Sequence, residues 1–203
     1  MLAHCALHPL CYLALTFPYI RDYWIDNPLF RVPGWLCIVI VFVAHYIEDQ
    51  WRVFTIFKYK TPDNTLYFIW DQVIHYAVIF SVIPMGLHSV PFRLIPEIWP
   101  VIGCLVVITT HACTVLVYFI EKDLYKKDFP GDWEKYLGML WRLVLMLCFL
   151  LPGIWSVLAG GAWFSTLYSA RRKKYLDLSW LGYYFGSAVA ASCGLAARWL
   201  CYY

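Results

Sequence analysis

The chain has 203 residues, of which 62% are hydrophobic and only 14% charged, and its formal net charge at pH 7 is +3. A soluble domain carries about 25% charged residues, so this composition excludes an ordinary soluble enzyme. The small net charge and the placement of basic residues in short loops give no sign of nucleic-acid binding. Long apolar runs instead predict an all-α, polytopic helical membrane protein.

Six segments are long and apolar enough to be membrane-spanning helices, for which about 20 residues are needed. They are residues 2–19, 34–51, 66–86, 98–120, 137–169 and 178–200. Pro- and Gly-containing turn sequences separate them. We therefore expect one membrane domain, with a three-helix core in residues 1–86 and further transmembrane helices in residues 87–203.

The fifth segment is too long for one straight crossing. Its residues would form a helix of about 50 Å, against a hydrocarbon core of about 30 Å. Pro152-Gly153 lies near its middle, which predicts a broken or re-entrant segment. If the chain turns back there, the basic run Arg171–Lys174 joins most other basic loops on one face, and the positive-inside rule then places that face and the N-terminus in the cytoplasm.

The eight cysteines form no C-x-x-C pair and lie mostly within apolar runs. Such residues are typically free thiols that pack as small hydrophobes. We therefore predict no disulfide framework.

Three pairs of polar residues, each with i,i+4 spacing, interrupt the first three apolar segments. Residues four apart share a helix face. The pairs lie at the start of the first helix, the end of the second and the start of the third, so all three fall at similar depth. Because helices two and three run antiparallel, the reversed order places Asp opposite Asp and His opposite His. The pairs are His4 and His8, His45 and Asp49, and Asp71 and His75.

Two carboxylates that face each other at membrane depth repel and lose hydration. A divalent cation or a shared proton removes this conflict, and imidazole with carboxylate suits Zn, Mn or Fe in a site of one or two metals. Gln72 and Glu48 are candidates to orient the ligand imidazoles, and Glu48 also fits a position that faces the loop or the membrane interface. The alternative is an interhelical hydrogen-bond cluster without metal. The predicted ligands are His8, His45, Asp49, Asp71, His75 and, at the edge of the site, His4.

Two further features predict contacts outside this cluster. Lys58 and Lys60 follow the second segment, where they serve as positive-inside anchors or contact an anionic head group. Gly186, Ala190 and Gly194 form a small-residue face in the sixth segment, suited to close helix packing and to a protein partner or a second copy of the chain.

The three pairs resemble the motifs of a family of bacterial and phage-encoded membrane proteins, the domain-of-unknown-function family 3307. Its motifs are H-x-x-x-H, then H-F-x-x-D before a basic loop, then F-x-x-D-Q-x-x-H. The third is the most specific, and the resemblance covers about the first 85 residues. The family also carries an earlier H-x-x-x-D helix that no segment here matches. The matching stretches are residues 4–8, 45–49, with Tyr46 in place of Phe, and 68–75.

This resemblance implies a multi-pass protein of the bacterial inner membrane, in contact with membrane lipid. It supports the polar site without naming a reaction. We predict a divalent-metal site near the cytoplasmic face, and metal-assisted hydrolysis of a lipid-linked ester or phosphoester as its chemistry. The alternative is a non-catalytic accessory or structural subunit of a larger membrane complex. Ion or proton transport is a third reading.

Overall fold

The computed structural model describes residues 2–83, 96, 98–173 and 178–202, with side chains from residue 5 onward. The described chain is mainly helical, and it forms two compact units, Met1–Pro96 and Glu97–Tyr203. Its helices are α1 (Leu2–Thr16), α2 (Gly34–Tyr59), α3 (Thr65–Val82), α4 (Ile98–Val107), α5 (Cys113–Tyr125), α6 (Asp132–Leu150), α7 (Trp155–Arg172) and α8 (Trp180–Tyr202).

In the first unit, α1 and α3 each pack against α2. A short antiparallel hairpin of β1 (Tyr23–Asp26) and β2 (Arg31–Pro33) lies between α1 and α2, which the all-α prediction did not include. Its turn is organised by Asn27, whose Oδ1 accepts hydrogen bonds from the backbone N–H groups of Leu29 and Phe30. Such Asx geometry lets a polar side chain replace a backbone partner in a tight turn.

Helix α2 continues eight residues beyond the end of its predicted apolar segment, to Tyr59. It ends where Lys60 adopts a left-handed conformation with φ 55°. Asn64 then caps α3, accepting a hydrogen bond at Oδ1 from the Tyr67 N–H, as N-cap residues do. The short connection makes α2 and α3 antiparallel neighbours, and the extra turns place Arg52 on a helix instead of in a loop.

In the second unit, the predicted fifth segment is two helices, so the predicted break is confirmed. Helix α6 ends at Leu150 and α7 begins at Trp155, and Gly153 between them has a φ of 57°, a conformation that favours glycine. The two helices pack as an antiparallel hairpin, and the Trp163 Nε1–H donates to the Trp141 carbonyl at 3.0 Å.

The small-residue face of α8 packs against α6 of the same chain. Ala190 is fully buried, and a Cβ added at Gly194 would lie 2.5 Å from the Met146 carbonyl oxygen. The absence of side chains therefore permits close approach of the two helices. This accounts for the small residues within one chain, and the predicted contact with a partner chain stays a prediction.

Two helical stretches of the described chain are long and apolar enough to cross a membrane. They are Thr65–Val82 and the continuous run Ile98–Tyr125, with mean hydropathies of 1.2 and 2.1. Only 11% and 17% of their most apolar windows are buried in the structure, whereas the core helix of a soluble protein is mostly buried. Both helices thus leave apolar surface uncovered, as membrane association requires.

All eight cysteines are free, as predicted.

Candidate metal centre

Three histidines from three helices lie in a row in the first unit. The ring centroids of His8 on α1 and His45 on α2 are 4.4 Å apart, and those of His45 and His75 on α3 are 4.5 Å apart. The His45 and His75 side chains are only 11% and 13% exposed. The i,i+4 spacing and the antiparallel α2–α3 pair bring these rings together, so the structure shows the expected His–His contact.

Asp49 lies between two of these histidines and directs one oxygen at each. Its Oδ2 is 3.5 Å from His45 Nε2, and its Oδ1 is 3.5 Å from His75 Nε2. The Cys5 thiol donates a hydrogen bond to Oδ2 at 3.4 Å. The Asp49 carboxylate thus contacts side chains from α1, α2 and α3.

Glu48 belongs to the cluster itself. Its Oε2 lies 3.3 Å from His75 Nδ1, and its buried Oε1 has no hydrogen-bond partner among the described residues. A buried carboxylate oxygen without a donor is costly. The prediction that Glu48 orients a ligand imidazole fits this contact, whereas a loop-facing position is wrong.

Asp71 pairs with Arg52, which lies one residue beyond the predicted apolar segment 34–51. Its Oδ2 accepts from Arg52 Nη1 at 2.8 Å and from Gln72 Nε2 at 3.2 Å. Arg52 Nη2 also donates to Asp63 Oδ1 at 3.2 Å. A guanidinium therefore already pairs with Asp71, and the predicted metal or shared proton between Asp49 and Asp71 stays a prediction. Gln72 contacts this carboxylate instead of orienting an imidazole.

The cluster contains two groups of three residues whose ligand atoms lie within 4.8 Å of one another. Ligand atoms around one tetrahedral zinc are about 3.5 Å apart, given bonds of about 2.0–2.3 Å, so small side-chain movements would bring each group to coordination distance. The groups differ in chemistry, since only the first includes a thiol. They are Cys5, His45 and Asp49, and Glu48, Asp71 and His75.

The charge of the cluster also favours a cation. Glu48, Asp49 and Asp71 supply three negative charges, and Arg52, which also pairs with Asp63, supplies one positive charge. This leaves an excess of at least two negative charges when the histidines are neutral. One divalent cation would balance this excess. Protonation of two histidines would have the same effect on the net charge.

The remaining predicted residues lie around or outside the cluster. His8 contacts it through the His45 ring, while the His4 side chain lies outside the described part of the structure. Lys58 Nζ lies 5.1 Å from the centre of the Phe54 ring, and Lys60 is the C-cap of α2. Their contact with an anionic head group stays a prediction.

Two cluster residues were missed at the sequence level although their spacing carried a signal. Cys5 is three residues before His8, and Arg52 is four residues after Glu48 and three after Asp49. These are spacings of one helix face. The competing signals were stronger, because cysteines in apolar runs usually pack as small hydrophobes and Arg52 lies just beyond the apolar segment 34–51.

Comparison with protein-family models, with curated proteins and with solved structures gave no match. The resemblance to family 3307 therefore rests on the three motifs alone.

Proposed function

We propose that the chain is a multi-pass protein of the bacterial inner membrane in which α1, α2 and α3 bind a divalent transition metal. One observation carries the proposal: Asp49 directs its two carboxylate oxygens at two different histidines, each 3.5 Å away. These distances are too long for good hydrogen bonds. They leave room for an ion between each imidazole and the shared carboxylate.

The hydrogen-bonding state of His75 supports this reading. Its Nδ1 lies 2.8 Å from the Asp71 carbonyl oxygen and 3.3 Å from Glu48 Oε2, both of which are acceptors, so Nδ1 carries the proton. In the neutral ring, Nε2 then points its lone pair at Asp49 Oδ1. The lone pairs of Nε2 and Oδ1 repel each other unless a proton or a metal lies between them. In metal sites, the second nitrogen of a ligand histidine usually donates its N–H to an acceptor, as Nδ1 does here.

The donor set indicates which metals fit. Imidazole and carboxylate bind Zn, Mn and Fe, and a thiolate from Cys5 would favour Zn over Mn because Mn prefers oxygen ligands. Asp49 as a shared ligand permits two metals. A metal of this kind makes a bound water acidic enough to attack an ester or phosphoester at neutral pH.

The position of the site suits a lipid-linked substrate. Asp71 and His75 lie six and ten residues after the start of α3, or about 9 and 15 Å along its axis. Within the described chain, α3 is one of two helical stretches apolar enough to span a membrane. The site is therefore within the leaflet next to the α2–α3 connection, near Lys58 and Lys60. We assign this face to the cytoplasm by the positive-inside rule, and the reaction to hydrolysis of a lipid-linked ester or phosphoester.

Metal analysis of the purified protein tests the proposal. Protein extracted in mild detergent without chelator should contain one or two equivalents of a transition metal, and Asp49→Asn should lose most of it. Asp132→Asn is the matched control, since this aspartate is exposed and pairs with Lys135 on α6. Metal-loaded wild-type protein should release fatty acid or phosphate ester from inner-membrane lipids, whereas Asp49→Asn should not. Mass spectrometry of the lipid extract measures the released product.

A second candidate function is an accessory or structural subunit whose polar cluster joins three helices. The Arg52–Asp71 pair favours it, because this pair shows that the chain balances one cluster carboxylate without metal. Two results together would support this function and contradict the metal site. Purified wild-type protein would contain no transition metal, and Asp49→Asn would still be less stable than Asp132→Asn.

A further inference from the structure

The second unit contains a cavity of about 320 Å³ that the metal site does not involve. It lies between α5, α6 and the start of α8, and Arg142 is among its lining residues. This volume is at the lower end of the range for small-ligand sites. It is too large for a single ion and fits a head group or a small metabolite.

Arg142 is a buried cation in this cavity, with only 4% of its surface exposed. Its Nε donates to the Thr109 carbonyl at 2.9 Å, and its Nη2 donates to the Thr110 carbonyl at 3.1 Å and to the Thr114 hydroxyl. The two carbonyls lie in the π-helical turn Ile108–Ala112, where the wider helix leaves carbonyls available to other donors. No carboxylate of the described chain pairs with this guanidinium.

Two hydrogen-bond donors next to the cavity are available to a ligand. The hydrogen bonds of Arg142 to the described residues use Nε and Nη2 and leave Nη1 without one. The buried Trp141 Nε1 has no partner among the described residues. A Cβ placed on Gly138 would be 3.8 Å from Arg142 Nη1 and 4.0 Å from Trp141 Nε1. Both donors therefore lie beside Gly138, the position at which α6 carries no side chain.

A buried acceptor lies toward the loop end of the same cavity. Glu121 is 8% exposed, its Oε2 is 3.6 Å from Lys127 Nζ, and its Oε1 has no hydrogen-bond partner within the described chain. Glu121 shares a face of α5 with Thr114, two turns and about 10 Å away along the axis. The cavity thus offers a cation with two donors at one end and a free acceptor oxygen at the other.

We propose that this cavity binds a phosphate-bearing head group, with the phosphate at Arg142 and Trp141 and a hydrogen-bond donor, such as a primary ammonium, at Glu121. The guanidinium fork matches phosphate oxygens, and an anion there compensates a buried charge that would otherwise cost several kcal/mol. A phosphoethanolamine group with hydrogen bonds of about 3 Å at each end matches the length of about 10 Å that separates Thr114, next to Arg142, from Glu121 along α5. The proposal holds whether or not the first unit binds metal.

Thermal unfolding of the purified full chain in detergent tests this site. The probes are short-chain phosphatidylethanolamine, short-chain phosphatidylcholine, inorganic phosphate and the matching diacylglycerol, which lacks phosphate. At saturation phosphatidylethanolamine should raise Tm by about 5 °C. Phosphatidylcholine should give a smaller shift, because its quaternary amine has no N–H to donate to Glu121, and Glu121→Gln should reduce the difference between the two lipids.

Gly138→Leu should abolish the shift, since its side chain would occupy the space next to Arg142 Nη1. Gly138→Ala should keep it, because the added Cβ makes only ordinary contacts. Gly161→Leu on α7 is the matched control, and no atom outside its own helix lies within 4 Å of a Cβ there.

An equal shift with inorganic phosphate identifies the ligand as a free phosphate, and a shift with phospholipid alone identifies a lipid head group. Either result supports the site. Three results would overturn the proposed site. They are a Tm shift with diacylglycerol as large as that with phosphatidylethanolamine, no shift with any probe, and a full shift in folded Gly138→Leu. The diacylglycerol comparison uses wild-type protein, so it decides the question even if Gly138→Leu does not fold.

Discussion

Arg52 Nη1 on α2 lies 2.8 Å from Asp71 Oδ2 on α3. This pair joins the two helices beside the histidine row and makes Asp71 the best-compensated carboxylate of the cluster. Glu48 and Asp49 are left without an arginine or lysine partner among their described ion pairs. The proposed metal therefore belongs next to these two residues, and Arg52 sets how many negative charges remain for it to balance.

Replacing Arg52 with Gln should destabilise the metal-free protein by about 3 kcal/mol, since a largely buried carboxylate loses its partner. It should also increase the stabilisation that added Zn provides, because the cluster then carries three unbalanced negative charges. Tm values with chelator and with Zn measure both effects. Arg31→Gln is the control, as the Arg31–Asp26 pair is exposed and is worth at most about 1 kcal/mol. The same Zn increment in Arg52→Gln and wild type would contradict this account.

Cys5→Ser should weaken Zn binding by about 10-fold or more, because the thiolate is the softest donor of the first ligand group. Titration of the metal-depleted protein with Zn and a competing chelator measures the change. Cys37 is equally buried but lies in an apolar cluster with Val41 and Val82, so Cys37→Ser should lower stability without changing Zn affinity. Equal affinity in Cys5→Ser and wild type would restrict the site to histidine and carboxylate ligands.

Gly194→Ala should destabilise the second unit by about 1–3 kcal/mol, the range for overpacking a tight contact. Its Cβ would lie 2.5 Å from the Met146 carbonyl oxygen and 2.7 Å from Phe149 Cβ, so α6 and α8 would have to separate. Gly161→Ala meets open space and should be neutral or stabilising by about 0.5–1 kcal/mol. Thermal unfolding of the two variants compares them directly, and similar Tm values would show that α8 is not seated against α6 in this way.

Cysteine labels near Lys127 and Arg172 should react from the same face of the membrane, because α6 and α7 form an antiparallel hairpin. The two helices have 19 and 18 residues and are therefore about 28 Å long, close to the hydrocarbon thickness of about 30 Å. A label at the exposed Ile154 in the turn should react from the other face. The background needs the exposed Cys11, Cys104 and Cys201 replaced by Ser. Labels at Lys127 and Arg172 that react from opposite faces would exclude the hairpin as a membrane element.

The sequence predicted elements and contacts wherever one local rule decides the outcome. The length of residues 137–169 and the Pro152-Gly153 step predicted a broken helix, because a helix of that length exceeds the membrane and Pro interrupts helical bonding. The i,i+4 spacing of His45 with Asp49 and of Asp71 with His75 predicted a shared site, because antiparallel helices joined by a short loop place such pairs opposite each other.

Only the tertiary structure decided which groups complete that site. An apolar run defines the part of a helix that is suited to lipid, whereas helical hydrogen bonding can continue beyond it. Helix α2 therefore extends past its apolar segment and brings Arg52 into the cluster. The Arg142 site depends in the same way on a π-helical turn whose carbonyls face a side chain more than 30 positions away in the chain. The pairing of Arg52 with Asp71 is a property of packing between α2 and α3, and no spacing within either helix encodes it.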